Sequence, residues 1–310
     1  MVDRIVLVGA SGFVGSAVAE VLRPRCDLVT VEAPRVRTSA RTTRSLLAEV
    51  ERYADLPALV QAVRGADVVV NAAGDPDASS QDEDGLFGAN ALLPALLLHV
   101  AEVAGVRRFV HVSSAVVQND KSTLDSSEEM WAFSPYSASK VMGELVLREK
   151  RGVAEVVRYR PPSVHAPGRR VTRLVSRIAR SRLAVVASPG SQLTPQALLP
   201  NVASAVAYLA TTPQRTPAVV HHPTEGITVE GLMRELSGGR RPLHLPRWLA
   251  VSMVSAAKAV GHLHKPTAAN ARRLELLMLG QGQAASWLTA SGWSPPVGRE
   301  GWKALAPRES

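Results

Sequence analysis

A tyrosine and a lysine stand four residues apart in "PYSASKVMGE", residues 135–144. The chain has only four tyrosines in 310 residues, so this placement calls for a reason. At i and i+4 on a helix, Tyr136 and Lys140 share one face. A free phenol has a pKa of ~10 and gives up its proton reluctantly at neutral pH. An ammonium beside it stabilises the phenolate and lowers that value. Such a pair can serve as a general acid/base, a contribution of roughly 10²–10⁴ in rate. Ser114 closes the run "RRFVHVSS" (107–114), where a hydroxyl can hydrogen-bond and orient a substrate oxygen. Singly, each of the three has a plainer role: a turn cap, a half-buried aromatic, a solvated charge.

A second constellation lies at the N-terminus. "GASGFVG" places Gly9, Gly12 and Gly15 between the apolar run "RIVLVGA" (4–10) and the helical "VGSAVAEVL" (14–22). Glycines permit the tight turn and let a phosphate approach the backbone. The helix N-terminus then offers N–H groups and a favourable dipole to a diphosphate. Ser11, Phe13 and Val14 complete this expected cofactor-binding turn. The next strand, "DLVTVE" (27–32), ends in Glu32. An acid there accepts hydrogen bonds from the adenosine ribose and favours NAD. Arg35 and Arg37 follow, and an arginine at that point can instead hold the 2′-phosphate of NADP.

The elements that must position these groups alternate. Strands are expected at 4–10, 27–32, 66–74, 107–114 and 154–162. Helices are expected at 14–22, 56–65, 89–105 (bent by Pro94) and 135–150. Residues 35–53 are polar and basic and read as a loop with a variable helix. Alternation of this kind implies α/β architecture: a Rossmann-like, doubly wound parallel sheet with right-handed crossovers. After about residue 165, glycine and proline punctuate the chain more often. Short helices (201–210, 228–236) and a strand (218–222) read there as a smaller C-terminal α/β substrate subdomain. The expected division is 1–165 for dinucleotide binding and 166–310 for substrate, with the chain free to cross back.

Composition narrows the class. Hydrophobic residues make up 46% of the chain, ample for a buried core, and the net charge is +9. The densest basic run, "RRVTRLVSRIARSR" (169–182), holds no aromatic residue on which bases could stack, so nucleic acid is not an expected partner. One cysteine, Cys26, excludes an intramolecular disulfide and fits a reducing cytoplasm. No secretory signal is recognisable, and no apolar run reaches ~18 residues. "WLAVSMVSAAKAVGHL" (248–263) carries Lys258 and reads as a packed amphipathic helix, with a peripheral membrane helix as the alternative. The histidines at 221–222 and 262–264 lack ligand spacing, and no metal is expected.

Taken in order, these pieces resemble the extended short-chain dehydrogenase/reductases, specifically the NAD-dependent epimerase/dehydratase group. The resemblance rests on "GASGFVG", "ADL" (54–56), "NAAG" (71–74), Asn90, "HVSSAVV" (111–117), "YSASK" (136–140) and "RPPSVHAPG" (160–168). It covers the first 170 residues, and "LLPNVASAVAYL" (198–209) and "SGWSPPVGREGW" (291–302) resemble weaker C-terminal signatures. The resemblance implies that Asp55 and Leu56 border the adenine and that Ala72, Ala73 and Gly74 line the pyrophosphate and ribose. It implies that Asn90 supports the sheet end, and that Pro161, Ser163 and Val164 contact the nicotinamide end. Ser114, Tyr136 and Lys140 become the catalytic set, with Ser113 beside them and Lys140 also holding the nicotinamide ribose.

The chain also departs from the family pattern. "VHAPG" replaces the usual "VYGPG", putting His165 and Ala166 there. Gln118 stands where a tyrosine is common, and Asn201 where an acid is common. The arginine that sugar-nucleotide enzymes place just before that last position is missing. Arg169, Arg170, Arg173 or Arg177 could stand in for it. Asp75, Gln118, His165 and Arg173 are the substrate-side candidates, with a packed or exposed histidine as the plainer reading of His165. The acidic loop "DPDASSQDED" (75–84) raises the prospect of repelling an anionic substrate. The expected activity is NAD(P)-dependent hydride transfer on a sugar nucleotide or related hydroxy/keto compound, by epimerisation or ketone reduction. Two other readings stand beside it: a reductase of an apolar, steroid- or lipid-like alcohol, and a redox sensor that binds NAD(P) without turnover. By analogy with the family, the helices at 89–105 and 135–150 would form a homodimer.

Overall fold

The computed structural model describes residues 2–306 apart from Asp120, Arg151, Leu183 and His264, with backbone alone across 262–267. The histidines at 262 and 264 therefore lie outside the side chains described. In chain order the elements are β1 (Arg4–Val8), α1 (Phe13–Leu22), β2 (Asp27–Val31), α2 (Thr43–Glu51), α3 (Leu56–Val63), β3 (Val68–Asn71), α4 (Glu83–Phe87), a π-turn (Gly88–Leu92), α5 (Leu93–Val103), β4 (Arg108–Val112), β5 (Thr123–Leu124), α6 (Pro135–Glu149), β6 (Glu155–Arg160), β7 (Ser163–His165), α7 (Arg170–Arg180), β8 (Val185–Ala187), β9 (Gln196–Leu198), α8 (Leu199–Thr211), β10 (Val219–His221), α9 (Val229–Ser237), β11 (Leu243–Leu245), α10 (Arg247–Leu263), α11 (Lys265–Met278) and β12 (Gly282–Gln283). Two short helices, Trp287–Ala290 and Arg299–Lys303, follow.

The chain divides into two compact units, the first being 1–119, 126–161 and 203–221. It is built on a six-stranded sheet of order β10-β6-β4-β3-β1-β2, parallel throughout. The sequence reads 218–222 as part of the C-terminal region. The chain crosses back there, as that reading allows, and returns β10 to the edge of this sheet, where Val219 pairs with Arg158. A three-residue strand carries too little periodicity to reveal its sheet.

Burial explains the valine-rich strands. Val6, Val8, Val69 and Phe109 pack against Val63 of α3, Leu97 and Val100 of α5, and Leu147 of α6. The alternate residues Ile5, Leu7, Val68, Val70 and Val110 are fully buried too. Covered on both faces, the strands read as continuous apolar runs. Arg108, at the start of β4, is one of several exceptions. Its guanidinium, 1% exposed, donates to the carbonyls of Leu209 (3.0 Å), Thr212 (2.7 Å) and Gln214 (2.9 Å) and to Glu155 (2.8 Å). A buried cation thus satisfies carbonyls at the C-terminus of α8, where the helix dipole favours it.

Residues 83–103 form one helical run of 21 residues whose best stretch has mean hydropathy 1.6. It is long and apolar enough to cross a membrane, yet 78% of that stretch is buried in the fold. The expected bend at Pro94 takes the form of the π-turn just before it. Leu93 N–H reaches back to Gly88 O. This wider turn precedes a residue that has no N–H to give. The π-turn sits under α6. A Cβ at Gly143 would lie 2.1 Å from Asn90 O, so only glycine permits this approach.

The second unit comprises 120–125, 162–202 and 222–310. It contains three two-stranded parallel pairs, β7 with β9, β8 with β11 and β5 with β12. Its core joins Val175 and Ala179 of α7 to Leu232, Met233 and Leu236 of α9, with Val186, Leu198 and Trp302.

In an open helix, glycine to alanine gains about 1 kcal/mol. Gly143→Ala should do the opposite, losing about 1–3 kcal/mol through overpacking against Asn90, as read by urea unfolding.

Candidate active site

All the groups described here as one site belong to the first unit and sit at the C-terminal ends of its strands, where open parallel sheets bind ligands. Gly9, at φ +88°, turns the chain out of β1, and Gly12 N–H closes on Gly9 O at 3.0 Å. A Cβ at Gly9 would lie 2.6 Å from Ala73 N, and one at Gly15 would lie 2.0 Å from Gly9 O. The turns after β1 and β3 are therefore pressed together, leaving Ser11 and Gly12 exposed at the surface. Gly12 N-caps α1 without a side-chain cap, which suits an anion better than a capping carboxylate would. Phe13 and Val14 are half-buried in the first turn of α1. The residues present fit a dinucleotide diphosphate.

Beside this turn lies a cavity of about 480 Å³ lined by Glu32, Pro34, Arg35, Tyr53, Asp55 and Leu59. It joins the end of β2 to the start of α3. Leu56 is not on its wall and packs into the core instead. Arg37 is turned away: it pairs with Asp82 at 2.5 and 2.7 Å. Arg41 holds Asp84 at 2.7 Å and lies 4.1 Å from the centre of the Phe87 ring. The acidic loop 75–84 is thus partly neutralised by the basic segment that the sequence reads as a loop with a variable helix. This weakens the expected repulsion of an anion.

Asn71 ends β3. Its side-chain oxygen accepts from Ala73 N at 3.0 Å, so its amide N–H₂ faces His111 Nδ1 at 3.1 Å. That assigns the proton of His111 to Nε2. Burial, with Lys140 and Arg158 nearby, holds this ring neutral, well below its ordinary range. Asn90, fully buried on the π-turn, accepts from Asp75 N (3.0 Å) and donates to Asp75 O (3.1 Å) and Ser139 Oγ (3.0 Å). It pins the Gly74–Asp75 turn to α6.

Helix α6 has a sharply set start. Ser134 accepts from Ser137 N, Ser137 Oγ accepts from Ser134 N, and Pro135 occupies the first turn. This reciprocal cap fixes Tyr136 in the first turn and Lys140 one turn on. Lys140 is 6% exposed, and a Cβ on Gly74 would lie 3.1 Å from its Nζ. Burial pushes its amine down from 10.5 to about 8, while Asp75 and Glu144 pull upward. At pH 7 the ammonium is still the main form.

A further turn along, Glu144 is fully buried. It accepts from Arg160 Nε at 2.9 and 3.1 Å and Nη2 at 2.6 Å, and from Ser113 Oγ at 2.5 Å. Arg158 approaches to 3.7 Å and also binds Glu128. Ser113, expected beside the cofactor, thus spends its hydroxyl inside the core. Ser114 is half-buried and accepts from Val116 N at 3.2 Å, capping a short turn against which α6 packs. Pro161 is buried, and its carbonyl accepts from Ala115 N at 2.8 Å. Gln118, offered as a substrate contact, is fully buried with its amide toward Ser127 Oγ (3.3 Å).

The remaining candidates lie in the second unit. Ser163 and Val164 are in β7, opposite Gln196 and Ala197 of β9. His165 is fully buried, with Nδ1 against Thr172 Oγ1 (3.2 Å) and Nε2 against Gln196 Oε1 (2.8 Å). With its ring 5.5 Å from that of Trp302 and its pKa lowered to about 4 by burial, it is a core residue rather than a substrate ligand. Arg173 is exposed on α7. Asn201 is spent on both backbone groups of Val297, at 2.9 Å each.

The profile of the NAD dependent epimerase/dehydratase family matches residues 5–220. The chain belongs to the NAD-dependent epimerase/dehydratase family. No curated protein matches the sequence. Among solved structures, MoeE5 in complex with UDP-glucuronic acid and NAD is 22% identical, with 98% of this chain and 97% of that one covered at TM-score 0.62. UDP-glucuronic acid 4-epimerase from Bacillus cereus in complex with NAD is 17% identical, with 97% and 96% covered at TM-score 0.63. The human epimerase family protein SDR39U1 (isoform 2), with NADPH, is 17% identical, with 99% and 100% covered at TM-score 0.67. These neighbours carry NAD or NADPH, and they share the fold of this family member.

Asn71, His111, Glu144 and Arg160 do not emerge from the sequence reading. A signal existed: Tyr136, Lys140 and Glu144 repeat at i, i+4 and i+8, and Arg158 and Arg160 at i and i+2 share a strand face.

Between about pH 8 and 10.5 the unfolded state binds more protons at Lys140 than the folded state, so this group's contribution to stability rises with pH there. Below that window the burial cost is fully present. Lys140→Met should raise stability at pH 7 by up to about 3 kcal/mol, a gain that fades by about pH 10.5 in parallel urea titrations. Glu144→Ala, which strands Arg160 in the core, should cost about 3–5 kcal/mol in the same assay.

Proposed function

We propose that the chain is an NAD-dependent enzyme that epimerises, dehydrates or reduces a nucleotide sugar, with Tyr136 as its general acid/base. The observation that carries this reading is Lys140, an ammonium buried beside Gly74 and held one helical turn behind Tyr136. Burial in a low-polarity setting is costly for a charge, and a charge retained at that cost acts strongly on its neighbours.

Gly12, the α1 N-terminus and Gly74 would hold the diphosphate of the cofactor. Glu32 and Asp55 face the cavity beside that turn. Glu32 is suited to a ribose diol and favours NAD; Arg37 is committed to Asp82, while Arg35 lines the same cavity, where it could hold the 2′-phosphate of NADP. When bound, the nicotinamide supplies a hydride acceptor or donor. The chain's own residues then manage the proton. The ammonium of Lys140 and the N-terminus of α6 favour negative charge on the phenol oxygen of Tyr136, which takes the proton from a substrate hydroxyl or returns it to a carbonyl. Ser114 Oγ orients the same oxygen. Asn90 and the Glu144–Arg160 pair touch neither; they position α6 and the Gly74 turn. Support for a nucleotide sugar comes from neighbours of similar fold that bind UDP-glucuronic acid or UDP-glucose with NAD.

Tyr136→Phe should lower turnover by roughly 10²–10⁴ while leaving NAD affinity within a few-fold, measured by product analysis on a nucleotide-sugar panel and by calorimetric titration of NAD. Undiminished turnover in the variant would refute the assignment of the phenol.

A further inference from the structure

Exposed large apolar side chains are concentrated in one place. Of the nine among the described residues, five fall between 243 and 260: Leu243 (61% exposed), Trp248 (71%), Val251 (42%), Met253 (42%) and Val260 (55%). Four of them are on α10. The inner face of that helix is accounted for, since Ala250 and Val254 pack with Leu274 and Met278 of α11. A Cβ on Gly261 would sit 3.0 Å from Ala268 Cα, so the two helices touch closely there. The outer face is the anomaly. A helix that faces water ordinarily carries charge on that side. Here Trp248, Val251 and Val260 alternate with Ser252, Ser255, Ala256 and Ala259, all exposed and none ionisable. Lys258 is turned to Glu275, at 2.8 Å.

Charge supplies the second observation. Residues 236–274 contain seven lysines and arginines and no aspartate or glutamate. Two of these, Lys258 and Arg272, are paired with Glu275 just beyond the segment. Arg240, Arg241 and Arg247 are exposed where the chain enters α10, and among the described residues no carboxylate pairs with them. Arg240 donates to Arg180 O at 3.0 Å, which brings the exposed C-terminal end of α7, with its own arginines, to the same region.

We propose that the outer face of α10, with the basic segment that leads into it, is a docking surface for an anionic lipid bilayer. Apolar side chains on a convex, uncharged helix face insert shallowly among acyl chains, and tryptophan favours the boundary between headgroup and hydrocarbon. Arginines at the helix entry reach headgroup phosphates while their stems stay along apolar surface. The exposed Arg240, Arg241 and Arg247, with no carboxylate partner among the described residues, complement an anionic leaflet and would repel a second copy of the same face.

The test is flotation of the full chain with vesicles of phosphatidylcholine alone or mixed with phosphatidylglycerol, at low and high salt. The expected result is binding to the mixed vesicles that falls with salt and is weak on phosphatidylcholine alone. Trp248→Gln/Val251→Gln and, separately, Arg240→Gln/Arg241→Gln should each weaken it by roughly tenfold or more. All four positions are exposed, so both variants should keep the wild-type melting temperature. If the first variant melts early, the arginine pair and the salt series decide. Absence of binding to mixed vesicles at low salt, or equal binding by the arginine variant, would overturn the proposal. So would a wild-type dimer in light scattering that Trp248→Gln/Val251→Gln turns into a monomer.

Discussion

The first unit depends on charges taken out of water and paired there. Glu144 brings a carboxylate to the inner face of α6, and Arg160 meets it from β6 while Ser113 meets it from the end of β4. Desolvating such ions costs several kcal/mol each, and only close geometry with further hydrogen bonds offsets it. That condition is met, since Arg160 also donates to Ser127 O at 2.8 Å. A buried pair of this kind adds little net stability over an apolar one, but it tolerates few alternative placements. The register of α6 against β4 and β6 is thereby restricted, and with it the height at which Tyr136 and Lys140 emerge.

Backbone contact does the complementary work. Three glycines bring segments closer than any side chain would allow: Gly9 to Ala73, Gly15 to Gly9, and Gly143 to Asn90. Each contact joins turns or helices at the same end of the sheet. The π-turn at 88–92 holds Asn90, whose side chain satisfies the backbone of Asp75 while its carbonyl lies against α6. Irregular helical geometry of this kind is often found beside functional groups. Lys140 is then enclosed by elements that are themselves fixed, which is why its ammonium loses water.

Much of this was legible beforehand. β1, β3 and β4 are short apolar runs closed by small residues, and they occur where the sequence places them. The glycine turn and the Tyr136–Lys140 spacing were equally plain, because backbone permissiveness and helical periodicity act locally. What escaped was nonlocal. A glutamate and an arginine in a helix and a strand read as surface charge until their partners are known. Ser113 and Ser114 are adjacent, and only the pleat decides that one turns inward to Glu144. The arginines at 37 and 41 find their partners, Asp82 and Asp84, more than forty residues away, beyond the reach of any local pattern. His165 could be read as a substrate contact or as a packed or exposed histidine, and the partners that enclose it, Thr172, Gln196 and Trp302, are out of reach of a local pattern.

The return of the chain to the main sheet bears on how the protein is made. β6 is synthesised some sixty residues before β10, its outer neighbour, and most of the intervening chain belongs to the other unit. Until Val219–His221 leaves the ribosome, β6 presents an open hydrogen-bonding edge, and Arg108 waits for the α8 carbonyls that it will bind. The first unit thus reaches its final form only after the segment 162–202 of its neighbour has emerged, and during that interval the nascent chain carries a parallel edge open to mispairing.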